Sequence, residues 1–502
     1  MSNFQGAAMG TDNANLFAFL RAWQTVGWQS QSRERGRYPW MDKIDQQISR
    51  NITRVDYMDL EGDRCDVQGI DWEDLGVSRS EARERRLNTY KNYVNLVGSD
   101  RWEVSMATSQ SLLPCTDNHF RFRHLDVRKN ISLAHFQLRN VLASTSRSQV
   151  FYPSQHIVNE FDPITGRNKL GMRSKEIPHF QVSTLAADHD TLVAGGFFGE
   201  YCFRRLSTEG NAEIHEGTIT PDNSGITNHV QVHMSRTSSS PKAAFASNDR
   251  GFRVLDIETE SFVAETILDK PVNCSAISPD RRLRVMVGDQ TQVLITKAEA
   301  DGRPEILQML EGHGDFGFAC DWADDGWTVA TGFQDKSVKI WDARRWTDSQ
   351  GRAVPVATLR SEIAGVRSLR FSPLGSGKRV LVAAEEADYI NIYDARTFQS
   401  KQTFDFVGEI GGTSFVNEGQ DLHVLCCDRS RGGLFTLERC GVGAERYHDP
   451  ENLGMRPRDR QWKNGSYDWQ ESRTTPRRLP RSTGTRRQRR ALASPSCSLD
   501  PF

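Results

Sequence analysis

Between residues 118 and 440 the chain alternates short apolar runs with tight polar turns. Val366 to Arg396 shows the grammar: an apolar strand, a small-residue strand, a polar turn, then a third apolar strand, VRSLRFSPLGSGKRVLVAAEEADYINIYDAR. The same order returns in Phe180–Arg205, Ile226–Ile257, Val272–Thr296, Leu310–Arg344 and Glu409–Glu438, and most weakly in Ile131–Pro153. The turns fall near Arg147, Gly199, Asp249, Asp289, Asp335, Asp388 and Asp428, at intervals of 40 to 53 residues. Such runs predict short strands. One such unit cannot bury its apolar faces alone, so the units must stack on each other.

The most specific unit is Leu310–Arg344, LEGHGDFGFACDWADDGWTVATGFQDKSVKIWDAR. A Gly-His pair, Gly312-His313, and a Trp-Asp pair, Trp341-Asp342, bracket one four-stranded unit, which is the pattern of a WD-repeat propeller blade. His313, Thr331, Asp335 and Trp341 fall on neighbouring strands and loops. They predict a buried hydrogen-bonded set that pins the turn between the second and third strands, because a buried Asp needs partners. The expected fold is all-β: a seven-bladed WD-repeat β-propeller over residues 117–440. Asn118–Val127, NHFRFRHLDV, alternates Phe120, Phe122 and His124 against Arg121, Arg123 and Leu125. It is expected to lie beside Gly432–Arg439 as the outer strand of the last blade, closing the ring and covering an open edge.

The flanks differ. Residues 1–116 are polar and irregular, with one predicted amphipathic helix near 79–95. Ser78 and Glu81 make a capping box, and Leu87, Tyr90 and Val94 form a stripe expected to dock on the protein's own body. Residues 441–502 lack apolar periodicity and read as a disordered tail. Seven arginines lie there between Arg477 and Arg490: Arg477, Arg478, Arg481, Arg486, Arg487, Arg489 and Arg490. Three readings stay open for them: nuclear import, salt-sensitive contact with RNA or DNA phosphates, or a plain solvated arm.

Charge and cysteine usage narrow the class. A net charge of −1 gives the whole chain no bias toward nucleic acid. Nine cysteines with no CxxC pair predict buried thiols rather than disulfides or a metal site. Leu16–Leu20 is too short for a signal-peptide core or a membrane span. A cytoplasmic or nuclear location is expected, with no membrane contact. No phosphate loop, HExxH, GxSxG or kinase set occurs, so no catalytic residue, metal or cofactor is predicted. His119, His124 and His135 read as packing residues, and Glu385, Glu386 and Asp388 as a solvated turn.

From about Asn118 to Glu438 the chain resembles a family of WD-repeat (transducin-like) proteins shared by fungi and plants. The passages that carry the resemblance are HFRFRHLDV, HFQLRN, QVSTLAA, LVAGGFFGE, ASNDRGFRVLD, GHGDFGFACDW and ATGFQDKSVKIWDAR. Asp71-Trp72 and the helix ending TYKNY are similar as well. The resemblance implies a seven-bladed propeller used for protein contacts, and it supplies no reaction and no partner. Trp341-Asp342-Ala343-Arg344 and Tyr393-Asp394-Ala395-Arg396 also resemble the WDxR motifs of propellers that serve as substrate receptors of cullin-type ubiquitin ligases. That resemblance implies an adaptor-binding role for Arg344 and Arg396, with Tyr393 as a departure.

The leading expectation is a non-catalytic protein-interaction scaffold. The alternatives are a cullin-ligase substrate receptor and a nuclear, RNA- or chromatin-associated propeller. Blade alignment places Phe316, Phe318, Gln334, Arg367 and Glu409 on one face as the expected protein-binding surface, since exposed aromatics and arginines anchor interfaces.

Overall fold

The structure, a computed structural model, describes residues 15–29, 37–101, 113, 115, 117–207, 213–222, 224–298 and 305–441. The arginine cluster of residues 477–490 lies outside these.

Short apolar strands joined by tight turns pair with their sequence neighbours. They form five four-stranded antiparallel sheets, within residues 143–172, 182–218, 227–267, 272–310 and 317–360, numbered here sheets 1 to 5. Residues 366–439 form a further sheet of eight strands, together with Phe120–Val127 and Arg54–Asp56. Its long strand Lys401–Val416 serves two halves. Lys401 lies opposite Tyr393 and Glu409 opposite Ala387, whereas Ile410 lies opposite Cys426 and Val416 opposite Asp421. The architecture is all-β and propeller-like.

The first strand of each sheet touches the first strand of the next. The contacts run from Ala143–Ser146 through Val182–Asp188, Thr227–Met234, Val272–Ile277, Gly317–Trp322 and Val366–Phe371 to Lys401–Val416, which touches Ala143–Ser146 again. Second strands such as Pro241–Ser247 and Val380–Glu385 are buried at every residue. Their alanines let neighbouring sheets approach to interior packing density. The core therefore lies between sheets: Val338 and Leu359 of sheet 5 pack with Leu369 and Leu381 of the next.

Phe120–Val127 lies where its alternation placed it, antiparallel to Gly433–Arg439 with Leu125 opposite Phe435. One detail differs. A register shift between Phe122 and His124 breaks the alternation, and Leu125 is buried rather than polar-facing. Val55 of the strand Arg54–Asp56 pairs with Leu125 and shields it.

Sheet 1 corrects the strand assignment. The turn at Arg147 joins its first and second strands, Ala143–Ser146 and Gln149–Ser154, not the second and third. The turn equivalent to those at Gly199, Arg250, Lys336 and Asp388 is at Gln155. All five residues adopt positive φ, between 52° and 81°. A polar Ser-Arg-Ser imitates a tight turn, so sequence grammar slipped by one strand.

The N-terminal region holds more than one helix. Besides α3 (Arg79–Thr89), α1 (Leu16–Gln29) and α2 (Met41–Ser49) pack around Trp72 and Leu75. The α3 capping box forms, with Ser78 Oγ accepting from Glu81 N. The helix ends at Thr89 rather than running to 95. Leu87 and Tyr90 pack on Ile363, Ala364 and Tyr389, as expected of the stripe, whereas its third member, Val94, lies beyond the helix and outside that cluster.

Candidate interaction faces and the buried turn network

The four residues of the sheet 5 set come together. His313 Nε2 lies 2.9 Å from Thr331 Oγ1, and Trp341 Nε1 donates to the same hydroxyl at 2.9 Å. His313 Nδ1 faces Asp335 Oδ2 at 3.3 Å and Ser337 Oγ at 3.0 Å. Asp335 also accepts from Gly314 N at 2.7 Å and Ser337 N at 2.9 Å. The His313 ring stacks on Phe333, with centroids 3.6 Å apart. Burial pushes the His313 pKa down, partly offset by Asp335. A neutral imidazole then donates from Nδ1 and accepts the Thr331 hydroxyl proton at Nε2, an assignment made from the network. Burial alone would raise Asp335; its His313, Gly314 and Ser337 contacts prevail and hold its carboxyl at about 2.

The expected protein-binding face is largely covered by the chain's own N-terminal segment, residues 60–100. Gln68 Nε2 donates to Val407 O at 2.9 Å. Arg79 pairs with Asp405 at 2.9 Å and Arg86 with Asp388 at 2.6 Å. Tyr90 bonds Glu386 at 3.2 Å, and Ser99 bonds Asp315 at 2.5 Å. Gln334 is fully buried and accepts from and donates to Asn92. Arg367 is buried, stacks 3.9 Å over the Phe318 ring and donates to Glu386 at 2.8 Å. The exposure expected of Phe318, Gln334 and Arg367 is therefore corrected. Phe316 is half-buried, and half-buried Glu409 accepts from Arg139 at 2.8 Å.

The acidic turn is corrected too: Glu385, Glu386 and Asp388 are all buried. Glu385 accepts from the backbone N–H groups of Glu362, Ile363 and Ala364 at 2.6–2.8 Å and from Asn391 Nδ2 at 3.0 Å. Burial, aided by the charge of Glu362, pushes its pKa up to about 7.

An aromatic row escaped sequence reading. Tyr93 meets Phe136 edge-on at 5.2 Å, Phe136 stacks on His135 at 4.9 Å, His135 lies 6.1 Å from Phe197, and Phe197 meets Phe198 at 5.6 Å. Tyr93 and Phe136 are each 41% exposed and Phe198 56%. The row is assembled from three segments distant in sequence. Only the paired rings His135-Phe136 and Phe197-Phe198, sitting in non-strand positions, could have signalled it.

Arg344 and Arg396 are exposed, each just after a third strand. Arg344 folds back, with Nη2 on Asp342 at 2.7 Å and its guanidinium over Trp327. His119 and His124 are buried beside Asp117 and Asp126, and burial holds His119 at about 4. Among the described residues all cysteines are free, no group of ligands fits a metal, and no helix is long and apolar enough to cross a membrane.

These features define an all-β, propeller-like protein with one face strapped by its N-terminal segment. No family model matches the chain. It is similar to the uncharacterized protein C4G3.03 of Schizosaccharomyces pombe, 22% identical over 310 residues, covering 58% of this chain and 84% of that one.

Proposed function

We propose that the chain is a non-catalytic protein-interaction scaffold built on a seven-bladed WD-repeat propeller, with residues 117–440 as the propeller. The seven-membered cycle of first-strand contacts and the two-part strand Lys401–Val416 support the blade count. The observation that carries the interaction reading is the exposed aromatic row from Tyr93 to Phe198, since contiguous exposed apolar surface marks contact sites. Phe316 and Glu409 remain as partly accessible members of the expected face. Affinity purification of the tagged chain, compared with a Phe136→Asp/Phe198→Asp variant, tests the reading. A partner retained by wild type and lost by the folded variant supports it; identical recovery refutes it.

The receptor reading rests on Arg344 and Arg396, which are exposed at corresponding places in neighbouring sheets. It requires a cullin-ligase adaptor among the recovered proteins. The seven tail arginines give the nuclear reading its own test. Deleting residues 477–490 from a fluorescent fusion lowers nuclear signal if they are read by an import receptor, and a salt titration with RNA reports phosphate contact.

A further inference from the structure

The first strands enclose two adjacent chambers that share Asn140, His229 and Arg370 as lining residues. No carboxylate lines the upper chamber, of about 20 Å³, whereas Arg139, Arg367, Arg370 and His229 all do. Several of their nitrogens are buried with no hydrogen-bond partner among the described residues: Arg139 Nε, Arg367 Nε and Nη1, and His229 Nδ1. Arg139 and Arg367 each spend one Nη on a glutamate outside the chamber, Glu409 and Glu386. Arg370 donates to two neutral oxygens, Leu369 O at 3.1 Å and Asn140 Oδ1 at 3.3 Å, and the carboxylate its charge acts on, Asp321, lies on the side of the lower chamber. Buried donors left without acceptors are costly, and guanidinium forks match carboxylates.

The lower chamber has a different character. Its volume is about 240 Å³, and its lining includes Ser144, Gln231, Ser275, Thr413, Ser414 and Asp321. At ~30 Å³ per water this is room for about eight waters, or for a hydroxy acid of comparable bulk. Hydroxyl and amide groups can exchange hydrogen bonds with hydroxyls of a ligand, and Asp321 can accept from one.

We propose that this axial channel binds a small hydroxylated carboxylate. Its carboxylate sits at the junction of the chambers against Arg370 and His229, facing the unpartnered nitrogens above. Its hydroxylated body fills the lower chamber. This polarity follows from the lining: donors without acids at one end, hydroxyls with two carboxylates, Asp188 and Asp321, at the other.

The test is calorimetric titration of the full chain with sodium gluconate at fixed ionic strength, with sorbitol as the uncharged control. Saturable binding of gluconate and none of sorbitol is expected. Arg370→Gln should weaken gluconate binding by about tenfold or more, through loss of the charge-assisted fork. Ser414→Leu, which narrows the lower chamber without touching Arg370, should weaken it as well and decides the matter if Arg370→Gln does not fold. Absence of saturable gluconate binding, equal binding of sorbitol, or unchanged affinity in the folded variants would mean that water alone fills the channel, and would overturn the proposal.

Discussion

Sheet 5 and its neighbour, residues 366–409, hold the same turn by different chemistry. In sheet 5 the turn is tied through a neutral histidine: His313 stacks on Phe333 and links Asp335 to Thr331 and Trp341. In the neighbour, Tyr393 stands where sheet 5 has Trp341, Ala383 where it has Thr331, and Ala387 where it has Asp335. Glu385 occupies the place of Phe333 and binds the backbone of residues 362–364 directly. The turn residue Asp388 is then clamped from outside by Arg86. Both turns meet the N-terminal segment, since Asn92 bonds Gln334 and Asp100 pairs with Lys336 at 3.7 Å, but only the second takes the ion partner of its buried turn acid, Asp388, from there. A repeat fold thus tolerates the loss of its signature residues where another element supplies the missing partners.

The largest effect is expected at the clamp. Arg86→Ala leaves Asp388 buried without its ion partner, at a cost of about 3–5 kcal/mol. A urea denaturation midpoint close to wild type would show that the turn of residues 385–388 does not rely on the N-terminal segment. Asp335→Ala comes next, with about 2–4 kcal/mol lost through the stranded donors of His313, Gly314 and Ser337. An unchanged midpoint would mean that the sheet 5 network contributes nothing.

Acid separates the two turns by sign. Glu385 holds its proton more tightly folded, near 7, than its ordinary 4.5, so its contribution falls as pH rises through that window. His313 and Asp335 are both shifted down, so their contributions are lost on acidification, His313 below its ordinary 6.5 and Asp335 from 3.8 toward about 2. Measured between pH 4.5 and 7, wild type should lose on the order of 1–3 kcal/mol relative to Glu385→Gln as pH rises. A constant difference between the two proteins across that range would contradict the burial of an ionisable Glu385.

The smallest effect on folding belongs to the exposed arginines. Arg344→Ala with Arg396→Ala should leave the denaturation midpoint unchanged while abolishing recovery of a cullin adaptor, if the receptor reading holds. Retrieval of the same adaptor by the double variant, or of none by wild type, would remove that reading.

The same contrast explains what the sequence made legible. Sheet 5 was readable because each partner in its network is a residue type with a fixed offset from the next. The closing strand was readable from Phe120 and Phe122 alternating with arginines. The Glu385 turn was not, because three acids in a turn look solvated unless their distant partners are known, such as Arg86, some 300 residues away, which reaches Asp388. For the same reason Gln334 and Arg367 looked like exposed anchors: blade alignment gives the face but not what covers it. Helix α1 did carry a signal. Leu16, Phe19, Leu20 and Trp23 follow helical spacing, and Asn15 Oδ1 accepts from Ala18 N at 3.0 Å. The apolar run itself is short, and the signal lies in its period rather than in its length.

The central claim is that the first strands form one cycle, closed where Phe120–Val127 joins Gly433–Arg439. A density map of the full chain at side-chain resolution tests it directly. The account predicts seven four-stranded units around one axis, with Leu125 opposite Phe435 at the closure. Six or eight units, or residues 120–127 lying away from residues 433–439, would contradict it.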